Sequence, residues 1–139
     1  PLTNKFNLGY SLGYFKNRNL NIKNCLMSQS FISGIGNIYA NEILFYSKIN
    51  PLKMGYKLKN KEIKNLIFFS KRIIAEAINK GGSSIKNFFS TSGEKGYFQN
   101  CFKVYNREDK KCPNSTCNGT IMKLFISNRS TFFCKKCQK

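Results

Sequence analysis

The sequence predicts a mainly α-helical fold followed by a small β-hairpin near the end of the chain. Two patterns predict it: apolar side chains recur at helical spacing in the first part, and cysteines frame a strand–turn–strand pattern in the last part. The clearest helix runs from Lys61 to Asn79, and Gly81-Gly82 supplies its stop. Its expected buried face follows the helical period of about 3.6 residues and consists of Ile63, Leu66, Ile67, Ser70, Ile74, Ala77 and Ile78.

Three shorter helices are expected before this one. The first covers residues 4–15, where apolar side chains recur at four-residue spacing after Thr3, a candidate N-cap. The second lies around residues 26–32, whose apolar positions suggest one buried face. The third spans Ile38–Ser47 behind Asn37, a natural N-cap. Its inner face would consist of Ile38, Ala40, Ile43 and Leu44.

The predicted hairpin has a basic tip. Residues 120–127 form the first expected strand, residues 128–130 a tight turn and residues 131–133 the second strand. The turn carries a lone arginine, Arg129. In a chain rich in basic residues, this tip is the best candidate for contact with a nucleic acid.

Four cysteines flank the hairpin with the spacing C-x4-C-x16-C-x2-C; they are Cys112, Cys117, Cys134 and Cys137. Two close pairs of thiolates suit the tetrahedral coordination of one structural Zn²⁺. Three disulfides are the alternative for six cysteines, but the polar start of the chain does not resemble a signal peptide, and the paired spacing favours a metal. We therefore expect a reducing cytoplasm as the setting, with Cys25 and Cys101 as small buried hydrophobes.

The chain carries a large positive charge. Its 24 Lys and Arg residues against 6 Asp and Glu residues give a formal net charge of +18 over 139 residues. Such a surplus attracts polyanions, nucleic acid first and an anionic membrane surface second. The membrane is the weaker interpretation, because the sequence has no long apolar span and no long basic amphipathic helix. Part of the charge can also be compositional, since the chain is rich in Lys, Asn and Ile.

A glycine turn separates the second and third predicted helices. Gly34 and Gly36 let the backbone bend tightly, and the N-terminus of the following helix offers unpaired N–H groups to a phosphate. Asn37 could cap that helix or donate its amide to the same phosphate. A plain helix–helix turn with an Asn cap explains the same residues without a ligand.

The residues around this turn resemble a known signature. Ser33–Phe45, followed by Ile49-Asn50-Pro51, is similar to the helix–two-turn–helix signature of the formamidopyrimidine-DNA glycosylases. The resemblance covers nearly the whole chain in several motifs. The others are Ile22-Lys23 with Leu26-Met27, the loop segments Gly81–Phe88 and Gly96–Phe98, Val104-Tyr105, the four cysteines and Arg129-Ser130-Thr131.

The resemblance implies a function in base-excision repair. Members of the family are bacterial enzymes that flip an oxidised purine, such as 8-oxoguanine or a formamidopyrimidine, out of duplex DNA and remove it. They then nick the abasic strand by β,δ-elimination. The implied organisation is a helix–two-turn–helix domain over residues 1–100, with a lesion-covering loop at about 83–100, and a zinc-finger hairpin over residues 101–139. The implied partner is double-stranded DNA with an oxidised purine or an abasic site, bound by a monomer with one structural zinc ion.

The resemblance also implies roles for single residues. Asn37 and the backbone of Gly36 would hold phosphates next to the flipped nucleotide, and Lys23 would pair with a nearby phosphate. Arg129 would contact a phosphate on the 3′ side of the lesion and take part in δ-elimination. A further basic contact falls at Arg18 or Asn19. The loop residues expected to cover the oxidised base are Ser83, Ser84, Lys86 and Tyr97.

Two features depart from the family pattern. The first cysteine pair has x4 spacing where the family usually has x2, so the knuckle at Pro113–Thr116 must bulge. The family nucleophile is an N-terminal proline followed by glutamate, in a domain that precedes everything seen in this chain, whereas Pro1 is followed by Leu2 and Thr3. We therefore expect Pro1 not to be the nucleophile and the chain alone to be inactive.

Two other functions remain open at this point. One is a pyrimidine-directed relative similar to endonuclease VIII, although Asn37–Ala40 and the Ser83–Phe98 loop favour the purine branch. The other is a zinc-ribbon module that binds nucleic acid without chemistry.

Overall fold

The computed structural model describes residues 1–80 and 102–139. The predicted loop at about 83–100, with Ser83, Ser84, Lys86 and Tyr97, lies outside these residues, as does Cys101. So does the predicted boundary between the domains 1–100 and 101–139. Within the described residues, the regular elements in chain order are helices α1 (Leu8–Phe15), α2 (Ile22–Met27), α3 (Asn37–Ser47) and α4 (Asn60–Asn79) and strands β1 (Ile121–Ile126) and β2 (Arg129–Cys134), with a 3₁₀ turn at Gly55–Lys57 before α4. The prediction of a mainly α-helical fold with a terminal hairpin is confirmed.

Helix α4 forms where the periodicity predicted it. The Glu62 carboxylate accepts a hydrogen bond from the Lys59 backbone N–H at 2.8 Å and satisfies one of the free donors at the helix start. One predicted core residue is wrong: Ile78 is 55% exposed, because it lies at the edge of the apolar stripe and in the last turn. The side chains that α4 buries are Ile63, Leu66, Ser70, Ile74 and Ala77.

The two helices before the glycine turn start at asparagine caps. Asn7, not Thr3, caps α1 and accepts the Tyr10 N–H at 3.0 Å, so the helix starts later than predicted. Asn21 caps α2 and accepts the Asn24 N–H at 2.9 Å, so this helix lies earlier in the chain than predicted. The N-termini of α1 and α2 thus follow the asparagine caps and not the apolar spacing.

Helix α3 lies between two apolar clusters. It packs against α4 on one side and against β2 on the other. Ala40, Ile43 and Leu44 join the larger cluster of the helical body, as predicted, whereas Ile38 is only partly buried. Phe45 belongs to the smaller cluster under the hairpin, whose other members are Val104, Cys112, Cys117, Ile121, Phe132 and Cys134. Because α3 belongs to both clusters, it fixes the hairpin relative to the helical body.

The hairpin is an antiparallel pair with a two-residue turn. Ile126 pairs with Arg129, and Ile121 at the other end of β1 pairs with Cys134. Ser127 and Asn128 have φ values of 49° and 61°, as the tight hairpin turn that matches strand twist requires. The predicted turn at residues 128–130 is therefore wrong by one position. Arg129 is the first residue of β2 rather than the centre of the turn.

None of the helices described above is long and apolar enough to cross a membrane.

Candidate nucleic-acid interface

One backbone carbonyl in β2 gathers side chains from two helices. The Ser130 oxygen accepts hydrogen bonds from Lys23 Nζ at 3.0 Å, from Asn37 Nδ2 at 3.1 Å and from Asn41 Nδ2 at 3.4 Å. We refer to Lys23, Asn37, Asn41 and Ser130 as the Ser130 cluster. A carbonyl oxygen has two lone pairs, so these three donors share it, and Asn41 makes the longest contact. The cluster joins α2, α3 and β2 beside Arg129.

Asn41 fixes the outer edge of the hairpin. Its Oδ1 accepts the Phe132 N–H at 2.8 Å, while its Nδ2 donates to the Asn37 carbonyl at 2.8 Å and more weakly to Ser130. The side-chain amide thus pairs with the free edge of β2 as a neighbouring strand would. Edge strands otherwise leave a row of unpaired N–H and C=O groups. Asn41 therefore both satisfies this edge and sets its position against α3.

Lys23 is a buried cation. Its side chain is fully buried, and Nζ donates to the Ser130 carbonyl and to Thr131 Oγ1. Within residues 1–80 and 102–139, no carboxylate forms a salt bridge with it. Burial, and secondly the like charge of Arg129, lower the pKa of Lys23 from 10.5 to about 8. The site therefore holds an ammonium whose positive charge an approaching anion would stabilise.

Arg129 is exposed between two fixed neighbours. On one side, Asn24 Nδ2 donates to Ser127 Oγ at 3.0 Å and ties the hairpin turn to α2. On the other side, Ser130 is held by the cluster just described. The backbone of Arg129 is thus positioned by the helices, whereas its guanidinium remains open to solvent.

The glycine turn places Asn37 inside the first turn of α3. Gly34 has a φ of 91°, which a residue with a side chain rarely adopts, and Gly36 is the N-cap in extended conformation. The prediction that Asn37 caps the helix is wrong, because its amide donates instead to Ser130. Its Oδ1 is buried and has no hydrogen-bond partner among the described residues. Among the described residues no side chain caps the start of α3, so its first backbone N–H groups have no side-chain partner there.

Arg18 and Asn19 lie outside the Ser130 cluster. The Arg18 guanidinium stacks over the Tyr14 ring at 4.2 Å, and its carbonyl accepts the Tyr56 N–H at 3.3 Å. Both residues are exposed, and in the described part of the chain neither shares a hydrogen bond with the cluster. The structure therefore brings together Lys23, Asn37, Gly36 and the backbone of Arg129, but not this connector.

The four predicted metal ligands converge. Their sulfur atoms all lie within 4.8 Å of one another, with 3.6 Å between Cys112 and Cys137 and 3.7 Å between Cys117 and Cys134. Tetrahedral coordination with Zn–S bonds of about 2.3 Å requires sulfur–sulfur distances of about 3.8 Å. The wider x4 spacing of the first pair is therefore compatible with a closed tetrahedral site.

The surroundings of the sulfurs also suit a metal. The Gly119 N–H donates to Cys117 Sγ at 3.3 Å and, with the neighbouring sulfurs, lowers the pKa of this thiol, whereas burial raises the pKa of Cys112 and Cys137. A bound cation would favour the thiolate at all four positions. Asn114 Nδ2 lies 3.5 Å from Cys137 Sγ. A Cβ atom at Gly119 would lie only 2.8 Å from Cys134 Sγ, so the chain comes too close to the sulfurs there for any other residue. The residues present fit a four-thiolate metal centre.

Glu42 connects α3 to the segment that precedes the hairpin, and the sequence did not predict this contact. Its buried carboxylate accepts the backbone N–H groups of Lys103, Val104 and Tyr105 at 2.9, 3.0 and 3.0 Å. Burial raises the pKa of Glu42, and the three hydrogen bonds partly oppose this by favouring the charged form. The only sequence feature that could have pointed to Glu42 is a charged residue beside the predicted apolar face of α3. Asn41 is likewise a polar residue beside that face. Neither residue type indicates which group it binds.

Comparisons with known proteins agree with this geometry. The family model of the formamidopyrimidine-DNA glycosylase H2TH domain matches residues 1–89. The chain belongs to this family. The formamidopyrimidine-DNA glycosylase of Roseobacter denitrificans is 41% identical over 139 residues, which are 100% of the chain and 49% of that protein. The corresponding protein of Rickettsia canadensis is 42% identical over 99% of the chain and 50% of its own length.

Solved structures give the same result. The complex between Lactococcus lactis Fpg and DNA containing an abasic site matches with a TM-score of 0.85 and 33% identity, over 99% of this chain and 50% of that one. A complex of a mutant of the same protein with Fapy-dG-containing DNA has a TM-score of 0.83 at 33% identity, over 96% and 48%. The chain thus spans about half the length of the relatives it matches.

Proposed function

We propose that this chain is the DNA-gripping half of a bifunctional DNA glycosylase and abasic-site lyase that removes oxidised purines. The observation that carries the proposal is the Ser130 cluster with Arg129. A buried ammonium without a carboxylate partner in the described residues donates to the Ser130 carbonyl, and the preceding residue carries an open guanidinium. Phosphates on a DNA strand supply the negative charge that this arrangement lacks.

The proposed contacts with DNA phosphates would offset the free-energy cost of distorting the DNA. Flipping a base out of a duplex costs a few kcal/mol of unstacking. A hydrogen bond to a charged group contributes about 1.5–3 kcal/mol. Phosphate contacts from Lys23, Asn37, the Gly36 backbone and Arg129 are together of the size needed. We assign Arg129 a second role at the 3′ phosphate, where its positive charge favours δ-elimination.

We place the nucleophile in the other half of the family architecture. The relatives are about twice as long as the chain, and Pro1 is followed by Leu2 and Thr3 and not by the glutamate that the family resemblance implies. The amine that attacks the sugar and forms the imine would therefore lie on a segment equivalent to the rest of those relatives. The covering of the lesion by Ser83, Ser84, Lys86 and Tyr97 stays a prediction.

We propose zinc as the metal of the four-thiolate centre. A closed tetrahedral site of four cysteines is typical of structural zinc, which supplies folding energy and takes no part in the reaction. Its effect here would be to hold the base of the hairpin, so that Arg129 is presented at the other end.

The test is DNA binding by the zinc-loaded chain. Fluorescence anisotropy with an abasic-site duplex should show roughly tenfold weaker binding for Arg129→Ala, and a salt slope smaller by about one. Arg72→Ala is the matched control, since Arg72 is an exposed arginine on α4 that pairs with Glu76. Equal affinities for the parent and both variants would refute the grip.

Borohydride trapping tests where the nucleophile lies. On an 8-oxoguanine or abasic-site duplex, the 139-residue chain should give no covalent adduct. An adduct through Pro1 would show that the reacting amine is in this chain. Binding without any adduct is also what a non-catalytic module would show, so the chain should then be joined to the remaining half of a relative such as the Rickettsia canadensis protein. Adduct formation by the joined protein distinguishes the enzyme from the module.

A further inference from the structure

Phe125 is the most exposed large apolar side chain that the structure describes, at 68%. It lies on β1 directly opposite Ser130. Opposed residues of an antiparallel pair project from the same face, with Cβ atoms about 4.5–5.5 Å apart. The ring therefore stands beside the residue whose carbonyl centres the Ser130 cluster. Nothing in the fold of the described residues requires a phenylalanine at this exposed position.

The ring is the outer end of a row of aromatic and basic side chains. Lys123 Nζ lies 5.6 Å from the Phe125 ring and 5.7 Å from the Phe132 ring. Phe132 is buried and meets the Tyr105 ring edge to face at 5.2 Å. Along this row, side chains become more exposed towards the tip of the hairpin. The arrangement fixes the strand below Phe125 and places one lysine, Lys123, beside the exposed ring.

We propose that Phe125 is an aromatic contact for DNA, its ring packing against the sugars or bases of the strand whose phosphates the Ser130 cluster holds. The inference rests on the DNA-binding function proposed above. Aromatic side chains beside cationic groups are a recurring platform for unstacked bases, and apolar side chains inserted at distorted steps stabilise a bent duplex. Lys123 would add its charge to the same contact, with Glu108 at 3.6 Å as its present partner.

The charge around the ring favours DNA over a protein segment as the occupant. Lys123 lies beside the ring and has Glu108 as its salt-bridge partner, Arg129 projects from the opposite face of the same hairpin, and the whole sequence carries a formal net charge of +18. A nucleic acid matches both the ring and the cations, whereas an apolar peptide matches the ring alone.

The chain provides a matched control for this inference. Phe68 on α4 is also highly exposed, at 59%, and its ring meets Phe69 edge to face at 5.1 Å. It lies in a different element and forms no contact with the Ser130 cluster within the described residues. The two phenylalanines thus have similar exposure in different settings.

The experiment uses the absence of tryptophan from the sequence. Phe125→Trp and Phe68→Trp each introduce a single indole into the zinc-loaded chain. We expect an abasic-site duplex to change the emission of Phe125→Trp and to leave that of Phe68→Trp unaltered. In anisotropy, Phe125→Ser should bind the duplex roughly tenfold more weakly with an unchanged salt slope, since no charge is lost. Phe68→Ser should bind within about twofold of the parent.

The outcomes separate this inference from the proposal on which it rests. If Arg129→Ala weakens binding while Phe125→Ser does not, and the Phe125→Trp emission is unaltered by DNA, the aromatic contact is wrong and the grip stands. If both indoles respond equally, the contact is not specific to Phe125 and the inference also fails. If Arg129→Ala has no effect, the proposed function itself fails. Circular dichroism and the zinc content of each variant identify any loss of fold.

Discussion

The two ends of the hairpin are held in different ways. At its base, four sulfurs converge within 4.8 Å, in a geometry that fits one metal ion. At its tip, hydrogen bonds from α2 and α3 converge on the Ser130 carbonyl. The candidate metal ligands of the base all lie within the finger itself, although Phe45 of α3 also packs against them. The tip is fixed by residues about 90 to 107 positions away in the chain.

We therefore expect the base to determine the folding of the hairpin and the tip to determine its contacts with DNA. A metal bound by the four cysteines would hold the ribbon together independently of the helices, because all four lie within residues 112–137. The position of Arg129, in contrast, depends on single side chains of the helical body. Substitutions at the base should therefore affect whether the hairpin folds. Substitutions at the tip should affect the position of Arg129.

Removal of the metal should have the largest effect. We expect Cys134→Ser, or a strong chelator, to unfold the hairpin and reduce DNA affinity at least about a hundredfold, since structural zinc contributes apparent free energies of about 10–16 kcal/mol. The helical body should remain folded, because its apolar cluster contains no residue of the hairpin. Hydrogen exchange of hairpin amides, helical circular dichroism and metal content are the measurements.

The control for metal removal is a cysteine outside the centre. Cys25 is buried in the helical cluster, so Cys25→Ala should lower the melting temperature and leave one zinc ion per chain. Protected hairpin amides in metal-free Cys134→Ser would show that packing on Phe45, and not the metal, holds the base.

The base of the hairpin was also the part most accessible to prediction. The cysteine spacing identified the ligand set, and apolar periodicity located α4 to within one residue at its start. Both signals are local, since each depends on spacing within one element or one motif. The glycine turn was likewise located by its own residues, with Gly34 at positive φ.

The arrangement of the tip could not be predicted in the same way. Asn37 has the side chain of a good helix cap, but a tertiary hydrogen bond to Ser130 competes with the local one and prevails. Lysine is rarely fully buried, and the residues next to Lys23 in the sequence did not indicate that its side chain is buried. Glu42 finds its partners at Lys103, Val104 and Tyr105, which lie about sixty residues further along the chain.

Loosening the tip should have an intermediate effect. Asn41→Ala removes the acceptor of the Phe132 N–H and one donor to Ser130, at a cost of about 2 kcal/mol. We expect faster hydrogen exchange at the Phe132 amide and several-fold weaker DNA binding, with unchanged zinc content. Asn65→Ala, at an exposed site on α4, should change none of these. Loss of zinc from Asn41→Ala would mean that the two ends are not independent.

The smallest effect at neutral pH concerns the charge of Lys23. A lysine that is half protonated near pH 8 binds a phosphate only in its protonated form, so binding is coupled to proton uptake above that pH. A DNA phosphate raises the pKa of Lys23, so affinity should be nearly constant below pH 7 and fall as the pH rises through about 8. At pH 9 the loss is at most about tenfold, or 1.4 kcal/mol.

Substitution of Lys23 tests whether this dependence belongs to it. Arginine stays charged throughout this range, so Lys23→Arg should bind DNA with a flat profile between pH 7 and pH 9 if its fold is kept. Lys23→Met should also be flat, with weaker binding at pH 7. The exposed Lys61→Met on α4 should retain the slope of the parent. A slope that persists in Lys23→Met would assign the proton to another group. Lys23 would then act on the tip only through its hydrogen bond to Ser130, in the same way as Asn41.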